Sequence, residues 1–234
     1  MKESSPVIVA LDFPSKKETM QLVDKLEPTL CRLKVGKELF TRCGPALVKQ
    51  LVDKNFDVFL DLKYHDIPNT VAKACVSAAE LGVWMLNVHA LGGEKMMATA
   101  KQALESNSNS DSPHLIAVTW LTSSGQTELD ALGINMTPQE MVSRLAIMTQ
   151  NAGLDGVVCS AQEAPMLRQS MNKNFLLVTP GIRPADASQD DQCRIVTPEK
   201  AMQDGSSYLV IGRPITQAAE PYKALKEIVN SLIQ

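Results

Sequence analysis

The strongest constraint on this chain is a repeat of shape rather than of residues. Short apolar runs alternate with longer stretches of helical character from one end to the other, eight times. The runs fall at 7–11, 31–35, 58–63, 83–89, 114–121, 156–159, 175–179 and 207–211. Most are continuously apolar rather than alternating, as strands covered on both faces must be. Each is followed by a helix signal. Ser15 with Glu18 and Thr137 with Glu140 are capping boxes, Pro45 and Pro221 suit a first helical turn, and Gly82 suits a helix end. Repeated right-handed β-α units in this number predict a (β/α)8 TIM barrel of the α/β class, in preference to an open doubly wound sheet. At 234 residues the whole chain, 1–234, reads as one domain.

Composition narrows the class of partner. With 44% hydrophobic and 21% charged residues the chain reads as an ordinary globular protein. Its formal net charge of −3 and the lack of a basic-aromatic stripe argue against nucleic acid as a partner. No apolar run approaches the roughly 20 residues of a membrane helix. MKESSP leads directly into the first strand without a signal-like apolar region. The five cysteines, Cys31, Cys43, Cys75, Cys159 and Cys193, form no C-x-x-C pair and read as reduced thiols. A cytoplasmic protein is expected. The three histidines have no metal-ligand spacing, so no metal is expected.

The stretch 56–70, FDVFLDLKYHDIPNT, carries the most chemistry. Strict alternation sends Val58, Leu60 and Leu62 to one face and Phe59, Asp61 and Lys63 to the other. A carboxylate and an ammonium thus share one face at the C-terminal end of the third strand, with Asp66 just beyond it. Pro68 stops the strand, and Asn69 or Thr70 can cap a helix over about 70–81. Barrels of this kind place their chemistry at the C-terminal strand ends. The polar residues expected there are Asp12, Lys34, Asp61, Lys63, Asp66, His89, Thr122, Ser123, Arg183, Gln192, Gly212 and Arg213. His89 also reads as a hydrogen-bonded core histidine and is set aside. Arg32 shares the parity of Lys34 without an evident role.

The loops after strands 7 and 8 of such barrels often bind phosphate. PGIRP at 180–184 and IGRP at 211–214 each supply a glycine for close backbone approach and an arginine for paired oxygen contacts. The long polar segment 181–196 has the character of a lid that closes on a phosphate ester.

Taken together, ALD at 10–12, LKVG at 33–36, FLDLKYHDIPNT, NVHA at 87–90, the TWLTSS turn, TPGIRP at 179–184, DDQ at 190–192 and VIGRPIT at 210–216 resemble the orotidine 5′-phosphate decarboxylases of the bacterial type. The likeness spans nearly the whole chain. It implies a carboxy-lyase of pyrimidine biosynthesis that converts orotidine 5′-monophosphate to uridine 5′-monophosphate and CO2 without a cofactor. It implies Lys63, Asp61, Asp66 and Lys34 as catalytic residues, with Lys63 stabilising and protonating the C6 carbanion. It implies Asp12, Lys34, Ile67, Thr70, Thr122, Pro180, Arg183, Gln192, Gly212 and Arg213 as substrate-binding residues. It also implies a homodimer with shared active sites, in which Asp66 and Thr70 serve the partner's site.

Two other readings compete. One is a Mg²⁺-dependent sister barrel with the same strand-3 signature, a keto-gulonate-phosphate decarboxylase or hexulose-phosphate synthase, which carries a Glu where this chain has Lys34. The other is a non-catalytic barrel that only binds phosphorylated ligands. Retention of every charged rim residue weighs against the second.

Overall fold

A computed structural model describes residues 5–107, 112–184 and 196–232. Eight strands close on themselves: Val7–Ala10 (β1), Arg32–Gly36 (β2), Val58–Tyr64 (β3), Met85–His89 (β4), His114–Val118 (β5), Gly156–Val158 (β6), Leu176–Thr179 (β7) and Tyr208–Ile211 (β8). All neighbours are parallel, and β8 returns to β1 through Val7 beside Leu209. Closure leaves no strand edge to protect. The α/β barrel expected from the alternation is the observed fold.

Register sorts the side chains into two cores. One parity faces outward: Val9, Leu33, Val35, Val58, Leu60, Leu86, Val88, Leu115 and Leu177 join the helices in the larger apolar layer. The other parity fills the barrel with Ile8, Ala10, Phe59, Met85, Ile116, Val178 and Val210. Inward rows run across the register, as in Ala10 beside Lys34 and Lys34 beside Phe59. Charged residues on the inward parity therefore have only two places to go, the floor or the mouth.

The helices are Lys16–Val23 (α1), Lys37–Asp53 (α2), Pro68–Ala79 (α3), Glu94–Asn107 (α4), Gln126–Ala131 (α5), Pro138–Asn151 (α6), Ala164–Ser170 (α7), Pro198–Gln203 (α8), Arg213–Thr216 (α9) and Pro221–Ser231 (α10). Thr137 and Glu140 close the expected capping box of α6, whereas at α1 the Ser15 hydroxyl accepts the Glu18 N–H and donates to the Glu18 carboxylate. α2 breaks at Gly44, whose φ of 65° no residue with a Cβ adopts cheaply, and restarts at Pro45.

Several expected boundaries shift. α3 begins at Pro68 with Ile67 at the N-cap and no side-chain cap, instead of being capped by Asn69 or Thr70. Proline's fixed φ suits the first helical position, which draws both residues into the first turn. Cys31, Val83, Trp84 and 119–121 lie outside the strands although their apolar runs include them. The expected helix at 161–171 opens instead as a 3-10 turn, Ala161–Glu163. The ends of the expected lid are tied together by a parallel bridge between Ile182 and Val196. Residues 185–195, including Gln192 and Cys193, lie outside the described residues.

Candidate active site

The third strand departs from strict alternation where its chemistry lies. Phe59 and Asp61 point inward as parity requires. Pairing with β4 then jumps from Leu60 beside Leu86 to Tyr64 beside Val88, so four steps along β3 match two along β4. Lys63 sits in this bulge with φ of 54°. A left-handed residue with a Cβ costs roughly 1–2 kcal/mol, and bulges recur beside active sites, where they re-aim a side chain. The Lys63 N–H donates to Asn87 Oδ1 at 2.8 Å, in place of a ladder bond. Asn87 Nδ2 donates to Asp61 Oδ1 at 2.7 Å.

These placements build an alternating chain of charge at the barrel mouth. Asp12 Oδ1 lies 3.3 Å from Lys34 Nζ, and Lys34 Nζ lies 3.4 Å from Asp61 Oδ2. Asp61 Oδ1 is 2.6 Å from Lys63 Nζ. The side chains of Lys34 and Asp61 are 11% and 13% exposed, so both charges are largely desolvated and depend on each other. Burial alone would push the Asp61 carboxyl up. The charges of Lys34 and Lys63, with hydrogen bonds from Lys63 and Asn87, outweigh it and hold the group below the ordinary carboxylate range. An ionised carboxylate thus fixes two ammonium groups in a partly dry site.

A cavity of about 310 Å³ opens above this chain. Its floor is apolar: Ala10, Phe59, Val118, Val158 and Val210. Its walls bring together Asp12, Lys34, Asp61, Lys63, Thr122, Pro180, Arg183, Gly212 and Arg213 from six strand ends, nine of the residues singled out by sequence. Arg183 is 6% exposed, and its Nη1 donates to the Ile182 carbonyl at 2.9 Å. Fixed cations and an apolar floor in one concave site suit a planar anionic ligand.

Three residues that the resemblance implies for the site lie elsewhere in the single chain, and Ser123, expected at the rim, also does not line the cavity. Asp66 and Thr70 are exposed and do not line the cavity, and Ile67 is 67% exposed. Asp66 turns back to accept its neighbour's N–H, Ile67 N to Oδ1 at 2.6 Å. His89 is also outside the cavity. It accepts the Leu91 N–H and stacks on His65 at 5.6 Å between ring centroids. Burial, then the charges of His65, Lys37 and Lys63, pull its imidazole down to about 4.

Asn87 is the residue that sequence reasoning passed over. Its signal was available: a fully buried amide on the inward parity of β4, flanked in sequence by apolar Leu86 and Val88. Trp120 and Leu121 also line the cavity, flanking the expected Thr122. Arg32, which had no assigned place, lies at the opposite end of the barrel. Its guanidinium stands 4.4 Å from the Trp84 ring and 4.9 Å from that of Tyr208, with Nε 3.3 Å from Asp57 Oδ2. Among the described residues, no three His, Cys, Asp or Glu side chains gather as a metal site would require, and no helix is long and apolar enough to cross a membrane.

Comparison with known proteins agrees with this geometry. The model of the Orotidine 5′-phosphate decarboxylase / HUMPS family matches residues 5–228. The chain is 58% identical over 226 residues to an orotidine 5′-phosphate decarboxylase of Nitrosococcus oceani, covering 97% of each protein. It is 60% identical over 226 residues to the enzyme of that name from Pseudoalteromonas atlantica, again covering 97% of each. The crystal structure of orotidine 5′-phosphate decarboxylase from Lactobacillus acidophilus superimposes with a TM-score of 0.88 at 39% identity, over 99% of this chain and 100% of that one.

Proposed function

The chain belongs to the orotidine 5′-phosphate decarboxylase / HUMPS family, and from that premise we infer the reaction and the part each residue plays in it. The reaction is the decarboxylation of orotidine 5′-monophosphate to uridine 5′-monophosphate and CO2, a step of pyrimidine biosynthesis. The C6–carboxylate bond breaks, its electron pair stays on C6, and no conjugated sink receives it. Charge must therefore do the stabilising. The observation that carries this reading is the Lys63 ammonium, held at 2.6 Å from Asp61 in the wall of the cavity.

Lys63 stands beside C6, neutralises the developing carbanion and then gives it a proton, which water restores. Asp61 keeps Lys63 charged and faces the departing carboxylate. Lys34 and Asp12 hold the ribose, Thr122 contacts ribose or base, and Pro180 packs against the bound nucleotide. Arg183, Arg213 and the Gly212 backbone hold the phosphate, and Gln192 contacts both pyrimidine and phosphate. One charge pair at about 4 Å contributes roughly 4 kcal/mol at an effective dielectric of 20, against the 8–23 kcal/mol by which enzymes commonly lower barriers. Phosphate binding and exclusion of water must supply much of the rest.

Asp66 and Thr70 act in the cavity of a second copy. Their exposure beside an unshielded apolar side chain supports a homodimer with shared active sites. We place the enzyme in the cytoplasm.

The test follows the ultraviolet absorbance of orotidine 5′-monophosphate with purified protein in EDTA, beside Lys63→Ala. The wild type is expected to turn over under chelation. Lys63→Ala is expected to bind uridine 5′-monophosphate but lose about 10³-fold or more in kcat, the equivalent of one such charge pair. Activity lost to EDTA and restored by Mg²⁺ would move the chain to the sister branch. A loss in Lys63→Ala below tenfold would remove Lys63 from the chemistry.

A further inference from the structure

Within this reading, and resting on it, one more residue has a task that no charged group can perform. We propose that Asn87 is the positioning residue that sets both halves of the Asp61–Lys63 pair, its amide oxygen holding the backbone of the lysine and its amide nitrogen holding the carboxylate of the aspartate. The two bonds are 2.8 Å to the Lys63 N–H and 2.7 Å to Asp61 Oδ1. Asn87 reaches from β4 across the place where the β3–β4 ladder is broken, and it is fully buried.

Chemistry singles out an amide for this position. The Lys63 N–H at the bulge lacks a ladder acceptor, and a buried donor left unmade carries its full desolvation cost. Lys63 is also left-handed, with φ of 54°, a conformation that persists only where its surroundings impose it. An acceptor is needed on one side and a donor on the other, fixed close together on one rigid group. Asn supplies both, whereas a carboxylate or ammonium supplies one kind only. Asp61 Oδ1 then accepts from Lys63 Nζ and Asn87 Nδ2 together, leaving Oδ2 toward Lys34. This split fixes the rotation of the carboxylate. Asn87 pairs in register with apolar Ile116 on β5, so its amide turns to those two residues of β3. It does not line the cavity, and it acts through Asp61 and Lys63 rather than on the nucleotide.

The test uses Asn87→Asp, which is isosteric and keeps the acceptor for Lys63 but replaces the donor to Asp61 with a second carboxylate. Wild type and variant are assayed side by side with orotidine 5′-monophosphate, so that an inactive wild type overturns the decarboxylase reading and this proposal with it, whereas an active wild type isolates the effect of the variant. At neutral pH kcat of Asn87→Asp is expected to fall about 100-fold. KM and the affinity for uridine 5′-monophosphate should stay within threefold, because the phosphate and ribose contacts are untouched. As pH falls, one proton shared between the introduced carboxylate and Asp61 restores a donor between them. The kcat of the variant relative to wild type is therefore expected to climb toward acid. Asn87→Ser is the second variant, whose hydroxyl stops one bond short of the amide's donor and acceptor atoms and so removes both bonds without adding a charge; its kcat should fall between those of wild type and Asn87→Asp. If Asn87→Asp fails to fold, Asn87→Ser alone decides: lower kcat at unchanged product affinity supports the proposal, and unchanged kcat overturns it. A folded Asn87→Asp with wild-type kcat, with its loss in KM, or with a kcat deficit that acid does not relieve also overturns it.

Discussion

Asp61 and Lys63 are two residues apart on β3, and their side chains meet at 2.6 Å where the ladder to β4 is broken. The relationship makes the aspartate's ionisation depend on the lysine. Its carboxyl is held low in spite of burial, by Lys34, by Lys63 and by two hydrogen bonds. In Lys63→Met the Asp61 carboxyl should therefore titrate higher than in the wild type, as side-chain ¹³C NMR would record. A depressed folded value contributes stability that is present above the unfolded value, near 3.9, and lost as pH falls through the folded one. The acid limb of the variant's stability curve should be shallower than that of the wild type. An unmoved Asp61 titration would mean that Lys34 and Asn87 alone hold it.

Arg213 and Gly212 close the cavity at the end of β8. If their task is the phosphate, Arg213→Ala should lower kcat/KM on the whole nucleotide by about 10- to 150-fold, the equivalent of the 1.5–3 kcal/mol of a charged hydrogen bond. The slow decarboxylation of orotidine, which has no phosphate, should be unchanged. Equal losses on the two substrates would show that Arg213 serves the base or the fold instead.

Shared sites make a prediction that single-chain sites do not. Asp66 is exposed here and outside its own chain's cavity. Lys63→Ala and Asp66→Ala proteins, each nearly inactive, should recover activity when unfolded together and refolded. In a mixed isologous dimer one site draws both intact residues and the other draws neither, so random mixing restores about a quarter of the wild-type sites. No recovery, with mixed dimers confirmed by mass, would return Asp66 to its own chain.

Much of this was legible because alternation and register are geometric. Parity alone put Asp61 inward with Phe59, and the strand-end rule gathered residues as far apart as Asp12 and Arg213. The bulge at Lys63 was not legible, since alternation assumes an unbroken ladder and the break is made with a partner strand whose Asn87 lies 24 residues away. Asn87 carries no charge and stands in an apolar run, so a search for titratable groups passes over it. The place of Arg32 depended on Trp84 and Tyr208, which reach it from the turn before β4 and from β8 respectively. Asp66, Ile67 and Thr70 follow the strand 3 signature in sequence, but one chain alone leaves them at its surface.

His89 couples the site's surroundings to acid. Its imidazole is pulled from 6.5 to about 4 by burial, then by His65, Lys37 and Lys63. The unfolded chain binds this proton first, so His89 contributes stability above about pH 6.5 that is lost between there and pH 4. His89→Asn keeps an acceptor for the Leu91 N–H but cannot titrate. Urea midpoints of the wild type should fall more steeply over that window than those of His89→Asn. Parallel curves would place the imidazole in solvent.

The inward row of β2 carries two cations to opposite fates. Lys34 reaches the mouth, whereas Arg32 plugs the floor against Trp84 and Tyr208, and its Nη1 donates to the Ser5 carbonyl at 2.5 Å. Its ion-pair partner Asp57 is 48% exposed and can be rehydrated, so removing the guanidinium should cost less than the roughly 3–5 kcal/mol of a fully buried pair. Arg32→Met keeps most of the apolar stem while losing the cation–π contacts and the bond to Ser5. About 1–3 kcal/mol of stability should go with them, read by urea unfolding. Because Arg32 does not line the cavity, kcat on orotidine 5′-monophosphate should stay within twofold. A tenfold fall in kcat at unchanged stability would instead mean that the floor transmits its packing through Phe59 and Met85 to the charges above.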